Sequence, residues 1–323
     1  MTTRVSVIVP TANRPHFLRT ALASIRALEG PDLAFEILVG DNGSSEETPR
    51  VVAEFGATYL RVAESGASAA RNAGLRAASG EFIAFLDDDD AWMGEHIRPH
   101  LEQLKARPDL DAVLGQVIYA DYDLAPFYGD PWPDFDPGQG EEMLRRMLSG
   151  WFPQIGTLVA RASVREKVGE FDPALVGGQD LDWMMRIARR RALGFQQTAC
   201  VLFRGRPAGS YDALQRRRVG FDRRVFLRHA VPEWRIWKTP MAMSKAYYGT
   251  LRHFYLYFAD AAEERAARGQ KREALGAIWD AARVFPLRAA FHLVRPSPIQ
   301  RALRHIVSPS RKPTTPELNG AQD

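Results

Sequence analysis

Phe82-Ile-Ala-Phe-Leu-Asp-Asp-Asp-Asp-Ala-Trp92 sets five apolar residues directly against four carboxylates. An unbroken apolar run of this length reads as a strand buried on both faces, as inside a parallel sheet. Four adjacent aspartates repel one another, so the fold has to bring positive charge beside them. At a strand end alternate side chains point the same way, which lets Asp87 and Asp89 share a face. Two converging carboxylates suit a hard divalent cation, Mg²⁺ or Mn²⁺, with positions left open for the phosphates of a nucleotide. The same run also suits an acidic solvated turn or a first helical turn, because carboxylates favour a helix N-terminus.

Upstream, strands and helices alternate. Val5-Ser-Val-Ile-Val9 is a β-branched run stopped by Pro10, and Leu18, Ala21, Leu22, Ile25 and Leu28 then recur at helical spacing. Phe35 to Val39 predicts a second strand, ended by the turn cluster Asp41-Asn42-Gly43-Ser44. A short helix over 46–55, a weaker strand over 58–62 and an Ala-rich helix over 67–78 complete the series. This alternation predicts a mostly parallel sheet with helices on both faces. Ligands of such sheets lie beyond the carboxyl ends of the strands. Three polar loops therefore converge on one rim: Pro10-Thr11, Asp41-Asn42 and Asp87 to Asp90.

The 323 residues are 46% hydrophobic and 25% charged, which excludes collagen-like, mucin-like and wholly disordered chains. The single cysteine, Cys200, excludes an internal disulfide framework and a Cys-based zinc site, and it suits a reducing compartment. No apolar run is long enough to cross a membrane. The first ten residues lack the apolar core of a signal peptide, so a cytoplasmic location is expected. Residues 1–203 carry 20 Lys+Arg and 29 Asp+Glu, a net −9, and residues 204–323 carry 23 and 10, a net +13. A basic half suits nucleic acid, anionic lipid or an anionic substrate, or is simply a solvated helical surface.

Farther along, Ala112 to Tyr119 predicts a strand, and 121–140 is an aperiodic loop rich in Tyr122, Phe127, Tyr128, Trp132 and Phe135. Such aromatics suit stacking against an acceptor sugar, or simple packing of the loop on the domain. Gly177-Gly178 precedes a helix starting near Gln179 or Asp180, whose apolar face is Leu181, Met184, Met185 and Ile187. An aspartate in the first turn can be no more than a helix cap, which is one reading of Asp180 and Asp182. Phe195 to Phe203 predicts a closing strand.

Four segments stand in the order and spacing of family-2 glycosyltransferases: Val7-Ile-Val-Pro-Thr-Ala-Asn-Arg14, Val39-Gly-Asp-Asn-Gly-Ser44, Ala70-Arg-Asn-Ala-Gly74 and Phe85-Leu-Asp-Asp-Asp-Asp-Ala-Trp92. The Gly177-Gly-Gln-Asp180 segment follows them. The chain thus resembles an inverting, metal-dependent nucleotide-sugar transferase of GT-A fold over about residues 4–210. The resemblance implies nucleotide contacts from Pro10, Thr11, Asn13, Arg14, Asp41, Arg71, Asp87 and Asp88. It implies Mn²⁺ or Mg²⁺ on Asp89 and Asp87, and Asp180 as the base that takes a proton from the acceptor hydroxyl. It further implies a UDP- or dTDP-sugar donor and a glycan or lipid-linked acceptor. Relatives usually carry Glu before the catalytic Asp; this chain has Gln179. Relatives often carry a His in the stretch occupied here by Arg204 to Ser210, where Arg204 or Arg206 can contact the diphosphate instead.

The domain reading is a transferase domain over 1–210, a basic helical extension over 211–307 and a disordered tail over 308–323. Helices are expected over 260–268 and 272–284, with short basic apolar ones over 289–294 and 299–307. The basic end suits peripheral attachment to anionic lipid, or a packed helical subdomain or dimer contact. Two other function classes stay open. A sugar-phosphate nucleotidyltransferase would show a glycine-rich signature with an activating lysine, and residues 1–30 hold no Lys. A non-catalytic nucleotide-sugar or glycan binding protein is the other, and Gln179 leaves it room. A nucleic-acid binder is disfavoured, because the basic residues lie away from the convergent loops.

Overall fold

The computed structural model describes residues 2–94, 97–126, 130–205 and 212–307. Strands β1 (Thr3–Thr11), β2 (Leu33–Asp41), β3 (Thr58–Arg61) and β4 (Phe82–Phe85) alternate with helices α1 (Pro15–Arg26), α2 (Glu47–Glu54) and α3 (Ala67–Ala77). There follow β5 (Ala91–Trp92), α4 (Ile97–Ala106), β6 (Ala112–Ala120), α5 (Glu141–Leu148), β7 (Val159–Arg161), α6 (Val164–Val168), α7 (Gln179–Arg189), β8 (Leu193–Arg204) and α8 (Asp212–Ala230). The chain ends in α9 (Pro240–Ala267), α10 (Lys271–Val284), α11 (Pro286–Val294) and α12 (Pro298–Val307).

The eight strands form one sheet in the order β3-β2-β1-β4-β7-β6-β8-β5. Pairing is parallel from β3 through β4 and between β6 and β8. It is antiparallel where β7 enters between β4 and β6, and where β5 caps β8. The sheet is thus mixed, flanked by helices as in GT-A proteins, with a helical C-terminal region.

Strand periodicity builds the two cores. Val5, Val7 and Val9 of β1, with Phe82 and Ala84 of β4, face the cluster that buries Leu18, Leu22 and Ile25 of α1. Ile8, Ile83 and Phe85 face the opposite cluster, with Met184 of α7 and Phe226 of α8. Gly40 lets α3 sit on β2: a Cβ there would lie 2.4 Å from the Ala70 carbonyl oxygen. Any larger residue would push α3 off the sheet and misplace Arg71.

The chain divides into two compact units, Met1–Thr250 and Leu251–Asp323. The first runs past residue 210 because α8 buries Val225, Phe226 and Ala230 in the core beside α7. The second is helical; Ala262, Ala266, Ala274, Ala277 and Ala302 form one small-residue cluster in it, and Phe254, Tyr255 and Phe258 are also buried. The 308–323 tail lies outside the described residues. No described helix is long and apolar enough to cross a membrane.

Candidate active site

Register places the site. Thr11 pairs with Asp41, so β1 and β2 end level, while β4 ends at Phe85 opposite Ile8 and the aspartates after it run on beside the last residues of β1. The Thr11 hydroxyl donates to Asp88 at 2.6 Å. Beyond these ends lies a cleft of about 560 Å³ bordered by Pro10, Thr11, Arg14, Arg71, Asp87, Asp88, Asp89 and Asp180. Eight of the residues singled out in the sequence therefore share one cavity.

Three arginines, one just before α1, one on α3 and one at the end of β8, offset the four aspartates. Arg14 forks across two of them, with Nη2 at 2.5 Å from Asp88 and Nη1 at 2.9 Å from Asp89. Arg71 of α3 reaches Asp87 at 2.5 Å. The Arg204 backbone N–H donates to Asp90 at 2.9 Å, and its guanidinium donates to the Asp89 carbonyl at 2.5 Å. Burial pushes Asp88 up to about 7, against the pull of Arg14 and Thr11, and pushes Asp90 well above the usual range. The cluster is a desolvated acidic knot rather than a solvated turn.

Arg71 is almost fully buried. Burial opposes its charge, yet Asp87 and Asp180 hold its guanidinium above the ordinary value. Its Nε and Nη1 have no hydrogen-bond partner among the described residues. Gln179 Oε1, also on the cleft wall, has none there either.

Asp180 lies in the first turn of α7, where its Oδ1 accepts from the Leu181 N–H at 2.9 Å. The helix is preceded by Gly178, in left-handed conformation at φ 68°. Gly177 and Gly178 let α8 pack on this backbone, since Cβ atoms there would meet Arg218 Cγ at 2.9 Å and Asp222 Oδ1 at 2.8 Å. A second cavity of about 170 Å³ shares Asp87, Asp89, Asp180 and Arg218 with the first and adds Phe152, Pro153, Gln154, Phe203 and Arg204. Asp180 thus stands where the two chambers meet.

Two sequence candidates are elsewhere. Asp41 is fully buried, accepting from the Gly43 N–H at 2.7 Å and the Tyr59 hydroxyl at 3.1 Å, and does not border the cleft. Asn13 accepts from the Ser44 and Ser45 N–H groups at 2.7 and 2.9 Å, tying two rim loops together. Of the loop aromatics, Tyr122 packs edge-on to Phe17, and Phe135 packs between Trp132 and Trp151; none of these borders either cavity. Phe127, Tyr128 and Arg206 lie outside the described residues.

Among the described residues no three His, Cys, Asp or Glu side chains form a self-sufficient metal cage. Asp87 and Asp89 both border the cleft and present hard oxygen donors. That set fits a Mg²⁺ or Mn²⁺ whose remaining positions go to phosphate oxygens and water.

The model for glycosyl transferase family 2 matches residues 6–162, which hold the first four strands and the acidic run. Residues 6–162 form a family 2 glycosyl transferase domain. Over 194 residues the chain is 28% identical to the glycosyltransferase AglE of Haloferax volcanii, covering 56% of this chain and 60% of AglE. Over 104 residues it is 35% identical to the UDP-Glc:alpha-D-GlcNAc-diphosphoundecaprenol beta-1,3-glucosyltransferase WfgD of Escherichia coli, covering 31% of this chain and 40% of WfgD. The chain spans less than two thirds of the length of either relative. In fold it is similar to S. aureus TarS 1–349 in complex with UDP-GlcNAc, with a TM-score of 0.60 at 18% identity over 94% of this chain and 90% of that one. The mannosyltransferase PcManGT of Pyrobaculum calidifontis, solved with GDP-Man and Mn²⁺, gives 0.53 at 19% identity over 95% and 86%.

Sequence reasoning missed what α8 adds beyond the family 2 domain. Leu214 and Arg218 border the cleft. Asp222 lies fully buried behind Gly178, 3.8 Å from Arg218. It is pushed up to about 6 by burial, with Arg218 opposing and Asp180 adding repulsion. Sequence reasoning also gave His229 no role. It lies 3.0 Å from the buried Asp182, which Arg186 and Arg228 also meet at 3.0 Å. Despite burial, these partners hold Asp182 below its usual value, while burial holds His229 down, so a neutral imidazole serves a carboxylate. Arg228 meets Asp172 as well, at 2.8 Å, which ties the turn before α7 to α8.

Proposed function

We propose that the chain is an inverting glycosyltransferase that moves a sugar from a nucleoside diphosphate, a UDP- or dTDP-sugar, to a hydroxyl of a lipid-linked glycan. The observation that carries this reading is the common wall of the two chambers. The larger chamber, with Arg14 and Arg71, takes the donor. The smaller, with Phe152 and Phe203, takes the acceptor, and Asp180 borders both.

In this reading the diphosphate lies against Arg71, whose unpartnered Nε and Nη1 receive a phosphate oxygen. Asp87 and Asp89 would hold the divalent ion, which when bound neutralises charge on the diphosphate. Asp180 accepts the proton of the acceptor hydroxyl as that oxygen attacks the anomeric carbon. The bond from that carbon to the diphosphate breaks, and its electron pair leaves on the phosphate oxygen. Attack opposite the leaving group inverts the centre. The cations at the cleft stabilise the departing charge, so no separate general acid is needed. Asp41 and Asn13 act by holding the rim loops in shape.

WfgD and a Campylobacter jejuni relative, 42% identical over 94 residues, are both named for undecaprenol-diphosphate-linked acceptors. That supports a lipid-linked acceptor, work at the cytoplasmic membrane face, and a role in cell-surface polysaccharide or glycoconjugate assembly. The test is a panel of nucleotide sugars assayed for hydrolysis and transfer with and without Mn²⁺. The reading expects Mn²⁺-dependent turnover of at least one uridine or thymidine diphosphate sugar. Binding without turnover across the panel would leave a nucleotide-sugar binding protein.

A further inference from the structure

The second compact unit turns apolar side chains outward in helical rows. On α10 the row runs Arg272, Leu275, Trp279, Arg283, at spacings of one helical turn. Leu275 is 51% exposed and Trp279 67%. The opposite face of α10 buries small residues, Ala274, Ala277, Ala281 and Val284, together with Asp280. On α11 the row is Leu287, Phe291 and Val294, and Leu287 is 88% exposed. The Arg295 guanidinium sits 4.5 Å from the Phe291 ring centroid, so charge and aromatic surface lie together. These helices keep small residues inside and large apolar ones outside, the reverse of helices that end at water.

The charge around these rows says what covers them. Residues 251–307 hold 10 Lys+Arg and 5 Asp+Glu. Of the five, Glu263 and Glu264 are taken by Arg301 and Arg268, and Asp280 is buried. The rows therefore combine apolar bulk with positive charge. A second copy docked face to face would set arginine against arginine. Residues 308–323 offer only Leu318, Ala321 and prolines as apolar residues, so that segment is too poor to cover two rows. An anionic phospholipid surface meets both demands: acyl chains take Trp279, Leu287 and Phe291, and phosphates take the arginines.

We propose that the α10 and α11 rows dock on an anionic lipid surface. This deepens the lipid-linked acceptor reading by naming the contact surface, yet it is tested without donor or acceptor. The full chain is sedimented with vesicles of phosphatidylcholine alone and of phosphatidylcholine with phosphatidylglycerol. Binding is expected only to the mixed vesicles, weakening at raised salt. Trp279→Glu with Leu287→Glu should cut partitioning at least about tenfold, and Arg272→Gln with Arg283→Gln should remove most of the preference for anionic lipid. All four side chains are exposed, so unchanged melting temperatures certify the fold. Equal sedimentation with both vesicle types, or wild-type binding by the Glu variants, overturns the proposal. So does a dimer in light scattering that the Glu variants dissolve, since the rows then serve a second copy. Loss of transfer in the panel above, with vesicle binding intact, would strike the catalytic reading alone.

Discussion

The Arg71 guanidinium meets the Asp87 carboxylate at 2.5 Å while two more of its nitrogens face no described partner. Aspartate holds one prong of the fork, and the proposed function gives the other two to a phosphate of the donor. Arg71→Lys keeps the charge and loses the fork. It should weaken UDP binding by about tenfold, roughly one charge-assisted hydrogen bond. Arg71→Met should also destabilise, by about 1–2 kcal/mol, because it strips the half-buried Asp87 of its counter-charge. Calorimetry with UDP and a thermal melt measure the two effects.

Metal affinity should depend on nucleotide. Of the four carboxylates that border the cleft, Asp87 and Asp89 are the pair proposed to hold the ion, and Arg71 and Arg14 already face them. Mn²⁺ alone should bind weakly and Mn²⁺ with UDP tightly, because phosphate oxygens complete the coordination. Asp89→Asn should abolish the enhancement of UDP binding by Mn²⁺. Titrations of the two ligands, separately and together, read this directly.

Much of this site was legible in the sequence because it is written at strand ends. An apolar run that stops at a polar residue marks both the strand and its rim, so Thr11, Asp87 and Asp89 could be placed without coordinates. The short helices α4 and α5 escaped because their periodic stretches are brief and flanked by loop-like composition. The packing of helix α8 onto the transferase core escaped for a different reason. Arg216-Arg217-Arg218 and Arg223-Arg224 read as a solvated basic face. Only the packing of α8 on Gly177-Gly178 turns Arg218 toward the cleft. Asp41 shows the converse: a carboxylate at a strand end is equally suited to holding its own turn, and in the structure it is buried against the Gly43 N–H and the Tyr59 hydroxyl.

Asp222 makes a pH-dependent prediction. Its ordinary value is near 3.8, and the fold raises it to about 6. The folded state therefore holds a proton that the unfolded chain releases between those values. The associated stability is complete below about pH 4 and is lost as pH rises through about 6. Above that, the fold carries a buried charge costing about 2–3 kcal/mol. Asp222→Asn should raise the melting temperature at about pH 8 and leave it nearly unchanged at about pH 4. Melts across that range check the sign; a lower melting temperature at the alkaline end would mean that Arg218 relies on the charge.

Asp182 should behave as structure alone. It is fully buried under Arg186, Arg228 and His229 and borders neither cavity. Asp182→Asn should lower stability by about 2 kcal/mol, since it removes the charged acceptor shared by Arg186, Arg228 and the buried His229. Affinity for UDP should stay at the wild-type level below the melt. Urea denaturation and calorimetry on one preparation separate the two effects.

The most direct measurement of the central claim compares Asp180→Asn with the parent chain, in UDP binding and in transfer from whichever donor the panel yields. Asparagine keeps the size of the side chain and the bond to the Leu181 N–H, but it cannot take a proton. The account predicts undiminished UDP affinity with transfer reduced by about a thousandfold or more. Transfer at the parental rate would contradict it and leave Asp180 as part of the helix end.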